Sequence, residues 1–106
     1  MSEELLIKEA RRRAEVFKNL REYLEVIVCT IKELDKNSEI YIFGSVAERR
    51  YLLSSDIDVL IVTNLKPSEV LSLLWEKGIK DPFEIHVVTR DGLELYRRRA
   101  HLVRVA

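Results

Sequence analysis

A chain of 106 residues has room for one compact core and no second, so any large substrate platform has to come from a partner. Its 18 basic and 18 acidic residues cancel to zero formal net charge, and 47% of its residues are apolar, which argues for a folded chain and against disorder or a dedicated polyanion binder. The longest apolar runs, such as Val59 to Val62, fall far short of the roughly 20 residues of a membrane helix, and no secretory leader precedes Glu3 and Glu4, so a cytoplasmic protein is expected.

Glu3 to Lys18 places Leu6, Ala10, Ala14 and Phe17 on one stripe. From Phe17, the residues Leu20, Leu24, Ile27, Ile31 and Leu34 recur in alternating steps of three and four, the spacing of one helix face. The two stretches read equally as one long helix or as two. Cys29 falls inside this pattern and reads as core; as the single cysteine it allows neither a disulfide framework nor a thiolate metal site. Lys36 and Asn37 break the pattern, and Glu39 to Phe43, rich in Ile, Tyr and Phe, reads as a short strand.

Gly44 and Ser45 end that strand, and Val46 to Leu52 reads as a short helix leading to Ser54 and Ser55. A second strand is expected over Asp56 to Thr63. Pro67 and Gly78 bracket a helix whose apolar face is Val70, Leu71, Leu74 and Trp75, with Trp75 in the core or at an interface. A third strand runs from Phe83 to Thr89. Asp91 and Gly92 open a short helical or irregular segment carrying Arg97 to Arg99, and the chain closes on the apolar-basic mix Leu102 to Ala106. The whole reads as one α/β (α+β) domain over 1–106: a helical segment (1–36), a central core (38–89) and a basic segment (90–106), with helices flanking a small mixed sheet of three or four strands.

Side chains alternate across a strand, so Asp56 and Asp58 project to one face while Ile57 and Val59 turn to the other. Two carboxylates so close in the apolar company of Val59 to Val62 are costly unless a cation neutralises them, and hard oxygen ligands suit magnesium. Taken alone, Asp-x-Asp is a weak signal, equally that of two solvated residues at a strand's start. Upstream, Gly44 permits close backbone approach, and Ser45 begins a helix whose free N–H groups can receive a phosphate; the same pair is also that of an ordinary turn with Ser45 as N-cap. Together, a phosphate seat and a carboxylate pair on consecutive strands are suited to clamping a metal-bound polyphosphate.

Gly44-Ser45, ten intervening residues and then Asp56-Ile57-Asp58 resembles the signature of the DNA polymerase β-like nucleotidyltransferase superfamily. The runs Ile42 to Glu48 and Ser55 to Val62 are similar in particular to the stand-alone minimal nucleotidyltransferases of prokaryotes. The chain departs at Arg49, where many relatives have glycine, and at Glu48, often basic in relatives. The resemblance implies two Mg2+ ions bridged by Asp56 and Asp58, with ATP or another nucleoside triphosphate as substrate. It also implies a third carboxylate on a later strand; Glu84 occupies that place, near the attacking hydroxyl, where many relatives use aspartate. Asp81 is a weaker alternative, set outside the strand pattern ahead of Pro82. The resemblance further implies a small helical partner of the HEPN type, often a ribonuclease toxin, adenylylated on a tyrosine by this chain as its antitoxin.

His86 shares the strand face of Glu84 and can reach substrate or tune the carboxylate, although a half-buried histidine packed under a helix is the commoner arrangement. Arg11 to Arg13, Arg97 to Arg99 and Arg104 read chiefly as solvated charge, and Tyr41, Tyr51 and Tyr96 as packing residues rather than base-stacking platforms. Two other functions stand beside transfer: a non-catalytic subunit that masks its HEPN-type partner, and a nucleic-acid module, which zero net charge disfavours. A domain this small with apolar helix faces also suits self-association.

Overall fold

The computed structural model describes residues 2–49 and 55–106; of the helix expected from Val46 to Leu52 only Val46 and Ala47 are helical among the described residues, Glu48 and Arg49 forming a turn, and its remainder from residue 50, with Tyr51 and Ser54, lies outside them. The N-terminal helical stretch is two helices, α1 (Glu3–Lys18) and α2 (Leu20–Leu34), parted at Asn19, whose φ of −107° and ψ of 26° leave the helical region. α1 starts on Ser2, whose hydroxyl accepts from the Leu5 N–H at 3.3 Å, with Glu3 and Glu4 in its first turn and Lys18 in its last, as the helix dipole favours. Its expected apolar stripe meets the core only at its end: Leu6, Ala10 and Ala14 are exposed, while Phe17 packs against the core beside the buried Val16. In its first turns Leu5, Leu6 and Ile7 are all exposed. On α2 the reading holds for Ile27 and Ile31, both fully buried, while Leu34 at the end of the helix is exposed. Cys29 lies on the outer side of α2 and is exposed, which corrects the core reading: the helix is covered on one face only.

After α2 come β1 (Glu39–Phe43), the single turn α3 (Gly44–Ala47), β2 (Ile57–Val62), α4 (Pro67–Glu76), β3 (Phe83–Val88), α5 (Arg90–Arg99) and β4 (Val103–Arg104). The sheet order is β3-β2-β1-β4. β1 and β2 are antiparallel, with Phe43 opposite Asp58; β2 and β3 are parallel, with α4 between them in the chain. β4 was not legible as a strand: its two residues are exposed and too few for a period, yet they pair with Tyr41 and Ile42.

Alternation divides the sheet between two cores. Ile40, Ile57, Val59 and Ile61 face α2 and α4, meeting Ile27, Ile31, Val70 and Leu74. Tyr41, Leu60 and Val62 face the other way and meet Leu93 of α5. β2 is thus buried on both sides, and Asp58 is the single position of that strand which is not. Trp75 lies on the outer side of α4, 60% exposed, with Lys80 Nζ 4.7 Å from its ring centre, so the core placement expected for it does not hold.

At the start of β1, Glu39 is buried and ionically satisfied. The Tyr41 hydroxyl donates to its Oε1 at 2.5 Å, Arg90 Nη1 donates to Oε2 at 2.6 Å, and Arg104 Nη1 lies 3.9 Å away. The Tyr41 hydrogen bond, with the two guanidiniums, holds the Glu39 carboxyl below its ordinary range against the opposing effect of burial. Burial, and then the Glu39 carboxylate, push the Tyr41 phenol up. Tyr41 is therefore a packing residue.

Candidate active site

The parallel register of β2 and β3 sets Asp58 beside Glu84 and Leu60 beside His86. Glu84 and His86, two apart on β3, share one face, the same face as Asp58. His86 Nε2 stands 3.4 Å from Asp58 Oδ1 and 3.9 Å from Glu84 Oε1, and ligand atoms of the three residues all lie within 4.8 Å of one another. The side chains of Asp58 and His86 are 24% and 25% exposed, that of Glu84 55%, so the group opens to solvent on the Glu84 side. Two carboxylates and an imidazole converging on one point form a donor set that fits a divalent cation, whose charge would offset the repulsion between the acids.

The turn after β1 is built against this group. Gly44 has φ of 76°, the left-handed region, and a Cβ placed on it would stand 2.6 Å from Asp58 Oδ2. Only a residue with no side chain fits, for reasons of both backbone and space. α3 is one turn, closed by the Glu48 N–H on the Gly44 carbonyl at 3.2 Å and the Arg49 N–H on that of Val46 at 3.1 Å. Phe43 is the N-cap, so Ser45 stands inside the turn rather than capping it. Arg49 has φ of 58°, a left-handed conformation uncommon for a residue with a side chain.

A second layer fixes the imidazole. The Tyr96 hydroxyl lies 3.2 Å from His86 Nδ1, and the Phe43 ring centre is 5.1 Å from that of His86 and 5.6 Å from that of Tyr96. With Nε2 facing carboxylate oxygens, the neutral imidazole carries its proton there and Nδ1 accepts from the Tyr96 O–H.

Asp56 is exposed and lies one residue ahead of the ladder, which opens with the Ile57 N–H donating to the Pro82 carbonyl at 2.8 Å. The ligand group found among the described residues is Asp58, Glu84 and His86, and Asp56 is not one of its members. Asp81, the alternative carboxylate, is engaged elsewhere: Arg13 Nη1 donates to its Oδ2 at 2.7 Å, and Arg12 bonds its carbonyl. Arg13 also donates to the Ser55 carbonyl at 2.6 Å, fastening α1 to the residue before Asp56. Sequence reasoning noticed His86 from its spacing to Glu84 but not its approach to Asp58, which needs the strand register. Tyr96 was read as packing, and its contact with His86 depends on how α5 folds back over β3.

The chain matches the model of a nucleotidyltransferase domain family over residues 9–105. It is similar to a solved structure provisionally described as a nucleotidyltransferase, with 27% identity and a TM-score of 0.63 over 83% of this chain and 99% of that one. A second, from Sulfolobus solfataricus and described in the same way, shares the fold at 23% identity and a TM-score of 0.53, over 91% of this chain and 85% of its own. No curated protein matches the sequence at a significant level.

Proposed function

The chain belongs to the nucleotidyltransferase domain family, and on that premise we propose that it moves AMP from ATP onto a hydroxyl group. The acceptor oxygen forms a bond to the α-phosphorus, the bond from that phosphorus to the bridging oxygen breaks, and pyrophosphate leaves. The observation that carries this reading is the approach of Asp58 to the Gly44 backbone, 2.6 Å from where a side chain would begin, which brings a carboxylate and the Gly44-Ser45 turn into one site.

In this reading Asp56, Asp58 and Glu84 would hold the Mg2+ ions, Glu84 would take part in removing the acceptor's proton, and the N–H groups of the Gly44-Ser45 turn would receive phosphate oxygens. Bound divalent ions supply charge neutralisation on the phosphates and a more acidic hydroxyl. The resemblance of Ile42 to Glu48 and Ser55 to Val62 to minimal nucleotidyltransferases supports a protein acceptor, a tyrosine of a small helical HEPN-type partner, with this chain as its antitoxin. Intact-mass measurement of that partner after incubation with this protein, ATP and Mg2+ tests it. A gain of one AMP that Asp58→Asn abolishes is expected; no gain overturns it.

A masking role draws support from the exposed apolar residues Leu71 and Trp75 on α4 and Leu5, Leu6 and Ile7 on α1. Neutralisation of the partner by Asp58→Asn as fully as by the parent protein would favour masking over transfer.

A further inference from the structure

We propose that His86 is a metal ligand, and that with Asp58 and Glu84 it makes the cation position on β3 selective for a first-row transition ion of the Mn2+ kind over Mg2+. This rests on the reading of Asp58 and Glu84 as metal ligands, and adds to it a nitrogen donor which that reading does not assign.

The geometry favours ligation over packing alone. Adjacent donors of an octahedral cation, each about 2.1 Å from it and about 90° apart, stand roughly 3 Å from each other; His86 Nε2 is 3.4 Å from Asp58 Oδ1 and 3.9 Å from Glu84 Oε1, both within about 1 Å of that spacing. Small side-chain rotations bring all three onto one ion. Mg2+ is served by oxygen donors and retained waters and gains little from an imidazole, whereas a nitrogen donor raises affinity for the first-row transition ions, least for Mn2+ and more for those after it. A position built from carboxylates alone would lack this bias.

The second layer is what a metal-bound histidine requires. A ligating Nε2 has lost its proton, so Nδ1 carries one and needs an acceptor. The Tyr96 oxygen, 3.2 Å away, serves: a hydroxyl donates to Nδ1 when the imidazole is free and accepts from Nδ1–H when Nε2 is on the metal. Phe43 and Tyr96 close on the ring from two directions, so the imidazole is held for this task before any ion arrives.

The test uses the whole protein and Mn2+ alone, without nucleotide. Loss of the free-ion electron paramagnetic resonance signal measures binding, with Mg2+ as competitor, and electron spin-echo modulation reports nitrogen coupled to the bound ion. Expected are a nitrogen modulation in the parent protein, Mn2+ retained against a large molar excess of Mg2+, and a fall of about tenfold or more in Mn2+ affinity in His86→Asn with Mg2+ affinity unchanged. Tyr96→Phe lowers Mn2+ affinity in the same direction and keeps the nitrogen modulation. Absence of that modulation in the parent protein, or equal losses for both ions in His86→Asn, overturns the proposal; the parent measurement stands even where a variant fails to fold. Nitrogen coupling without AMP transfer would sink transfer alone, and transfer without nitrogen coupling would sink this assignment alone.

Discussion

Asp58 fills the space that a side chain on Gly44 would need, its Oδ2 standing 2.6 Å from the position of a Cβ on that glycine. Gly44→Ala therefore meets two obstacles, a contact with the carboxylate and a φ of 76° that alanine adopts at a cost. We expect a loss of about 1–3 kcal/mol in denaturant unfolding and a loss of nucleotidyl transfer larger than that destabilisation explains. Unchanged transfer would separate the turn from the reaction.

Asp58→Asn should abolish transfer, by a factor of about a hundred or more, while leaving the unfolding midpoint unchanged or slightly raised, because it removes one of two neighbouring acids. Glu84→Gln should behave alike. Asp56→Asn is the more discriminating variant: a fall in transfer of the same order shows that Asp56 joins the site when nucleotide is present, and full activity shows a solvated residue ahead of the strand. Steady-state transfer rates alongside thermal melts read both.

Arg49 adopts a φ of 58°, in which an L side chain is disfavoured by about 1–2 kcal/mol. Glycine removes that cost but loses roughly 0.5–1 kcal/mol through the freedom of the unfolded chain, so Arg49→Gly should be neutral or more stable by up to about 1.5 kcal/mol. Arg49→Ala, which keeps the conformational cost, should show no gain. Chemical denaturation of the pair separates backbone from side chain.

Glu39 makes the fold acid-sensitive. Its folded carboxyl titrates below the ordinary value of 4.5, chiefly through the Tyr41 hydrogen bond and then Arg90 and Arg104. Its contribution is therefore present above pH 4.5 and lost as pH falls through the lower folded value. Tyr41 is shifted upward, so its contribution is present below pH 10.0 and is lost as pH rises through the raised value. Glu39→Gln should cost about 1–3 kcal/mol at neutral pH and flatten the acid limb of a stability profile measured by urea unfolding.

Much of this molecule can be read from local patterning. Glu39–Phe43 and the helix opened by Pro67 announce themselves by period and punctuation, and the burial of Val59 to Val62 follows from an uninterrupted apolar run. Where patterning failed, a tertiary fact was missing. The stripe on α1 has the right spacing, but only its last member, Phe17, meets the core; Cys29 has apolar neighbours in sequence but lies on the outer side of α2; β4 exists only because β1 offers it an edge. The site divides in the same way. Gly44 and Asp58 were legible through their spacing and resemblance, whereas the pairing of Asp58 with Glu84 and the contact of His86 with Tyr96 depend on strand register and on α5 turning back across the sheet.

β2 is an inner strand and β3 an edge strand, and the two acids they carry inherit different fates from that placement. Glu84 extends from the border of the sheet into water, so exchange for another acid disturbs little of the packing around it. Asp58 is enclosed by the residues that hold the molecule together, so whatever perturbs Ile57, Val59 or Leu60 reaches it as well. The six residues of β2 thus carry both a large part of the interior and one acid of the site.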